Sequence, residues 1–285
     1  MTRTGARRRG NAIVRSLANS SRCVLAAASF VVAACTPGFQ VKKYHTNTDL
    51  YEASAQEYAK KKWDNAILGF ERLTLDLSAR DTLLSRAHWF LAMAHEQRGE
   101  HLLAAASFLR LTELFPDDSL ADDALLAAGD AYAQMWRSPG LDPQYGNLAQ
   151  MQYRLLGNIF PDSPLREKAT QRAQAIDERL ATKEYETGVY YTKRRAFDSA
   201  IISFKFVVKE YPNTQRVRDA LMRMVDVYRR RELNYVEEAK ETCTTLRLAY
   251  PGDAEVTKLC AAPTVTADSA AKAASAAPPK PKPVP

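Results

Sequence analysis

Four aromatic–proline pairs punctuate the chain: Phe115-Pro116, Phe160-Pro161, Tyr211-Pro212 and Tyr250-Pro251. Each closes a run whose apolar residues recur at spacings of three and four, the period of a helix with one buried stripe. Proline lacks an amide hydrogen and clashes with the preceding turn, so the helix stops before it. Ser119, Ser163, Thr214 and Asp253 follow, where an oxygen can accept the free N–H groups of the next helix. Pro164 suits the first position of such a helix. Strand-like alternation is almost absent from Leu50 to Cys260. These features restrict the body to an all-α fold of short helices that reverse again and again.

Such helix pairs cannot bury their apolar faces singly, so they must stack. Their small and aromatic positions resemble those of the tetratricopeptide repeat, about 34 residues long. Block 181–214 fits best, with Gly188 and Tyr191 in its first helix, Ala200, Phe204 and Val207 in its second, and Pro212 at its end. Gly188 and Ala200 allow close helix approach, and Phe204 fills the gap between neighbouring pairs. Block 85–118 places Leu91, Ala92, His95, Ala104, Phe108 and Leu111 equivalently. Block 49–82 carries Tyr51, Ala55, Tyr58, Trp63, Ala66, Phe70 and Leu73, its first helix one residue out of phase. The block from Asp122 matches at Gly129, Tyr132 and Ala149 only if eight residues are inserted, including the loop 138–143. The last block, 220–253, has Val227, Ala239 and Leu246, with Cys243 in place of the aromatic. Residues 164–180 form a helix outside the repeat, running on toward Tyr185. The expected architecture is a superhelix of about five helix pairs with a linking helix between repeats three and four.

The chain's 40 Lys+Arg outnumber 33 Asp+Glu, but the excess lies at the ends. Residues 1–34 hold six arginines and no acid, while 35–260 carry a net charge of −1. This argues against a nucleic-acid partner. The arginines precede an apolar stretch, Cys23 to Val32, too short to span a bilayer. Val32-Ala33-Ala34-Cys35 then resembles a lipoprotein lipobox, which makes Cys35 the acylated first residue of the mature chain. Several acyl chains anchor stably where one would be marginal. Thr36 stands where an aspartate commonly marks inner-membrane retention, so the outer membrane is favoured. Residues 1–34 thus read as a signal peptide and 35–48 as a lipidated tether. Repeats one to three occupy 49–163, and 164–260 hold the linking helix, repeats four and five and a capping helix. Residues 261–285, with nine alanines and six prolines, read as a disordered tail.

No histidine, nucleophile or phosphate-loop motif points to catalysis. His88 and His95 could share a helix face but lack a third ligand, so neither a metal nor another cofactor is expected. Once Cys23 leaves and Cys35 is acylated, Cys243 and Cys260 remain, and in an oxidising compartment they are a possible disulfide. Helical packing of two free thiols is the alternative. Lys193-Arg194-Arg195 and Arg229-Arg230-Arg231 each end a first helix, where cations are favoured. Solvated turn charge explains both, and for 193–195 the rim of an acidic partner surface stands equally.

From Val32-Ala-Ala-Cys35, through Tyr51-x3-Ala55-x2-Tyr58 and Trp63 to Leu73, to Leu180 through Leu221, the chain resembles the outer-membrane protein assembly factor BamD (ComL) lipoprotein family. The resemblance implies a part in the machinery that folds and inserts β-barrel proteins. The implied partners are the barrel insertase, other subunits of the complex and unfolded barrel substrates. It makes Lys193, Arg194, Arg195 and Asp198 candidate insertase contacts, and puts Tyr58, Trp63 and Trp89 near the substrate-receiving half. The alternatives are an outer-membrane scaffold for polysaccharide or pilus export, or for cell-wall and envelope coordination.

Overall fold

The computed structural model describes residues 38–261. The expected signal peptide, Cys35 and the tail from 262 onward lie outside the described residues. After a 3-10 turn at Val41–Lys43 come α1 (Asn47–Ala59), α2 (Trp63–Asp76), α3 (Thr82–Gln97), α4 (His101–Leu114), α5 (Ala121–Met135) and α6 (Gln144–Ile159). They are followed by α7 (Arg166–Lys193), α8 (Phe197–Glu210), α9 (Arg216–Tyr228), α10 (Val236–Ala249) and α11 (Ala254–Ala261). No strand occurs among the described residues. Each helix packs chiefly on its neighbours in sequence, as in a repeat array.

One register recurs through the second helices. Ala66/Phe70, Ala104/Phe108, Ala149/Tyr153, Ala200/Phe204 and Ala239/Cys243 are all buried pairs four residues apart. Twelve residues before Ala66 lies Ser54, fully buried, whereas Ala55 is only half-buried. The first block is therefore in phase. Its small residue is a serine, disguised by polarity, and its hydroxyl donates to the Leu50 carbonyl at 2.6 Å. Phe204 also differs from expectation. A Cβ on Gly188 would meet the Phe204 ring at 2.5 Å, so the ring seals its own helix pair.

The helix of residues 164–180 does run on past Tyr185. It enters the next block as α7, a single helix of 28 residues and about 42 Å. Good helix formers fill this stretch, and neither Gly nor Pro interrupts it before Gly188. The buried cluster of α3–α7 ends at Leu180, and the next begins at Ala181, so α7 supplies both cores. Polar bonds fasten its first half to the preceding pair. Arg172 and the Tyr153 hydroxyl both donate to Asp130, the latter at 2.8 Å. Arg179 donates to the Trp136 carbonyl and stacks on that indole, while Lys183 donates to the Leu141 carbonyl at 3.0 Å. The inserted loop is thereby pinned to α7.

The helix starts are only partly as expected. Ser163 and Asp253 accept amide hydrogens, from Leu165 and from Glu255 and Val256. Ser119 is displaced by Asp118, which accepts from Leu120 N–H. The Thr214 hydroxyl donates backward to the Tyr211 carbonyl, and Glu178 of α7 accepts from Gln215 N–H instead. Pro164 lies before the helix, which begins at Arg166. The expected tether is also shorter. Phe39 and Tyr44 pack with tilted rings at 5.6 Å and join the α1–α3 core. Thr46 caps α1 by accepting from Asp49 N–H at 3.1 Å.

His88 of α3 is buried, with Nδ1 lacking a partner. Desolvation, helped by the Arg110 charge, lowers its pKa from 6.5 to about 4. Because the folded value is depressed, the neutral ring supports folding fully above pH 6.5. That support is lost as pH falls from 6.5 toward 4, by about 3 kcal/mol in all. Against this background His88→Leu should lose less stability than the parent between pH 7 and pH 4.5. Urea midpoints at the two pH values measure the difference, and parallel losses in both proteins would reject it.

Candidate functional site

Two surfaces hold the side chains singled out in the sequence. The first lies at the turn between α7 and α8. Lys193 ends α7, Arg194 caps it, and Arg195 takes a left-handed conformation with φ 63° that reverses the chain. Asp198 follows in the first turn of α8, where its charge complements the helix N-terminus. All four side chains are exposed. The next turn, after α9, lies beside them. Glu232 pairs with Arg195, and Arg230 stands 6.0 Å over the Phe197 ring. Arg194 lies 5.0 Å over Tyr190, an exposed ring. Cations, two acids and an upturned tyrosine therefore share one end of the stack. Such a rim attracts an acidic partner surface and orients it through the two acids. Tyr190 and Glu232 were not singled out from sequence, and Arg230 was named only within its own basic cluster, because only the fold brings the turns together.

The second set divides. Trp63 packs edge-on against Tyr58 at 5.0 Å, and Tyr58 against Phe90 at 5.4 Å. Phe90 stacks on Phe70 at 5.5 Å, and Tyr51 closes the row against Phe70 at 5.8 Å. This aromatic row runs through α1, α2 and α3. Burial raises the phenol pKa of both Tyr51 and Tyr58. Trp89 does not belong to it. Its ring meets Phe108 at 5.2 Å in the following core cluster. Adjacent helical residues project about 100° apart, so Trp89 and Phe90 serve different seams. Tyr58, Trp63 and Trp89 are all partly buried, and part of each ring is spent on packing.

The histidines do not converge. His95 Nδ1 lies 2.8 Å from Glu100 and His101 Nδ1 3.0 Å from Glu96. Among the described residues no cluster of three or more His, Cys, Asp or Glu side chains could hold a metal ion. No described helix is long and apolar enough to cross a membrane. At the far end Cys243 and Cys260 are joined, with Cα atoms 5.6 Å apart.

A family profile described as YfiO, outer membrane lipoprotein, matches residues 43–243. The chain belongs to this family. The match runs from the strap before α1 to the middle of α10 and so includes the α7–α8 turn and the aromatic row. Membership makes the chain a lipid-anchored protein of the outer membrane, on its periplasmic face, and a scaffold rather than an enzyme. The chain is similar to the outer membrane protein assembly factor BamD of Caulobacter vibrioides, 24% identical over 209 residues, 72% of this chain. That match spans 66% of the Caulobacter protein, just under two thirds of its length. The BamD of Haemophilus influenzae is 24% identical over 220 residues, covering 73% of this chain and 82% of that protein. Among solved structures, the P58(IPK) TPR domain aligns with a TM-score of 0.41 at 13% identity, over 75% of this chain and 54% of that one.

Proposed function

We propose that the chain is a lipid-anchored scaffold of β-barrel assembly, held to the outer membrane by acyl chains on Cys35. The family match over 43–243 carries this reading. Five helix pairs, joined through α7, present two working ends. The C-terminal end docks on the barrel insertase through Lys193, Arg194, Arg195 and Asp198, supported by the exposure of all four. The N-terminal end receives unfolded barrel substrates beside Tyr58 and Trp63, with Trp89 as a separate contact. This division follows the two cores that meet inside α7.

The test is co-purification from detergent-solubilised outer membranes. The wild-type protein should bring down a barrel insertase. Reversing Lys193, Arg194 and Arg195 together to glutamate should reduce its recovery at least ten-fold, about 1.4 kcal/mol of binding. The fold should survive, because the three side chains lie outside the core. Undiminished recovery would remove the turn from the interface. Recovery of export proteins or wall synthases alone would defeat barrel assembly itself.

A further inference from the structure

The N-terminal strap fixes how one end of the stack faces the bilayer. Gly38, Phe39 and Lys43 line a small cleft together with Lys62 and Asn65, at the start of α2. From there the strap runs along α2 until His45 and Thr46 reach Asp76, at the other end of that helix. The chain therefore enters the fold beside the α1–α2 turn. Two residues, Thr36 and Pro37, separate Gly38 from Cys35, and the three steps between them span at most about 11 Å. Acyl chains on Cys35 hold this turn within that reach of the lipid headgroups.

The turn is Lys60-Lys61-Lys62, and all three side chains are exposed. Lys60 and Lys62 share one acid, Glu57, at 3.0 and 3.8 Å. Lys61 has no ion pair among the described residues and sits at φ 59°, at the apex of the turn. Lys43 adds a fourth exposed cation beside Lys62. Asp64 is engaged by Arg98. The balance is a compact positive end, next to the point from which the anchor departs. Salt screens such charges over about 8 Å, a range comparable with the reach of the anchor.

We propose that the Lys60–Lys62 turn, with Lys43, binds anionic phospholipid headgroups and sets the orientation of the stack against the membrane. This rests on the reading of Cys35 as the acylated residue. One lipid-anchored end plus a basic patch is a two-signal attachment, in which the patch selects the orientation. The bound surface is a lipid bilayer carrying net negative charge. A neutral bilayer gives the lysines nothing to pair with.

The experiment uses the chain from residue 36 onward, which contains the whole described fold and carries no acyl group. It should float with vesicles of phosphatidylcholine containing phosphatidylglycerol, at low salt, and not with phosphatidylcholine alone. The variant Lys60→Gln, Lys61→Asn, Lys62→Gln should partition at least ten-fold less, since each lysine near an anionic surface contributes roughly five-fold. Asparagine is chosen at 61 because it tolerates the left-handed conformation. Neutralising Lys205, Lys209 and Lys240 to glutamine, three exposed lysines of α8 and α10, should leave flotation unchanged. An unaltered thermal unfolding curve shows each variant folded. Equal losses in both variants, no loss in the first, flotation with neutral vesicles or no flotation at low salt would each overturn the proposal. Failure of the anchor reading is seen separately, as a membrane-purified chain whose intact mass shows no acylation at Cys35.

Discussion

Phe204→Ala should destabilise the protein by about 3–5 kcal/mol, the cost of emptying a fully packed aromatic site. The ring is completely buried and lies over the bare backbone of Gly188, with Tyr185 tilted against it at 5.7 Å. Nothing nearby can collapse into the space. Ala200 already brings the helices as close as they go, and Val207 and Ala181 are fixed in the same cluster. Phe206, two residues on, is the control. It is 44% exposed and touches Tyr211 edge-on at 6.0 Å. Phe206→Ala should cost less than about 1 kcal/mol. Urea unfolding followed by circular dichroism measures both. Similar losses at the two positions would show that the buried seam of α7 and α8 does not carry the stability of this half.

The same position explains what could be read from sequence. Alanine followed four residues later by an aromatic is a local pattern, and it occurs in the second helix of each of the first four pairs. The close-approach residue of the first helix is harder to see, because any small side chain will serve. Glycine at 188 and alanine at 92 are conspicuous, whereas Ser54 has the right size behind a hydroxyl that its own helix satisfies. Reading polarity instead of volume shifts the first block by one residue. Tyr153 is hidden in another way. The inserted loop moves it eight residues from its expected place, and Ala149 four residues earlier and Gly129 beneath its ring give the register.

The joint at α7 was legible as a helix running on from 164–180 toward Tyr185, and the fold extends it to Lys193. Periodicity carries the helix from 164–180 across the block boundary, and the local pattern does not say how far it goes. Continuity is decided by the absence of a breaker and by tertiary bonds such as Arg172 to Asp130 and Arg179 to Trp136. The candidate surfaces follow this division. Lys193, Arg194, Arg195 and Asp198 fall within six residues at one turn, so their joint exposure could be foreseen. Tyr58, Trp63 and Trp89 were grouped by residue type, and the third faces another seam because helical neighbours diverge. Glu232, which meets Arg195 from the following turn, leaves no trace in sequence spacing.

Breaking the Cys243–Cys260 link should cost the C-terminal end about 3 kcal/mol, the value for closing a loop of this length in the unfolded chain. The two cysteines are 17 residues apart, and their Cα separation of 5.6 Å lies within the range a disulfide spans without backbone movement. Helix α11 has eight residues, too few to persist by itself in water. Other restraints on it lie at or near the surface. Arg218 holds Asp253 at 2.7 Å and Glu255 at 2.7 Å, and that ion pair keeps the Asp253 carboxyl down to about 2. Arg229 and Arg247 donate to the Leu259 and Cys260 carbonyls. Only Val256 of α11 is fully buried. Cys243 occupies the site that an aromatic ring fills in the other pairs, so the last pair has a thin core that the staple completes. The replacement Cys243→Ser with Cys260→Ser should therefore expose Leu246 and Val256, and α11 amides should exchange as fast as in an unfolded peptide while α8 stays protected. In the parent, kept from air and alkylated before and after reduction, intact mass should register one bond. Free thiols in the untreated protein, or undiminished protection of α11 in the double variant, would leave the arginine contacts of Arg218, Arg229 and Arg247 and the burial of Val256 as what fastens the end of the stack.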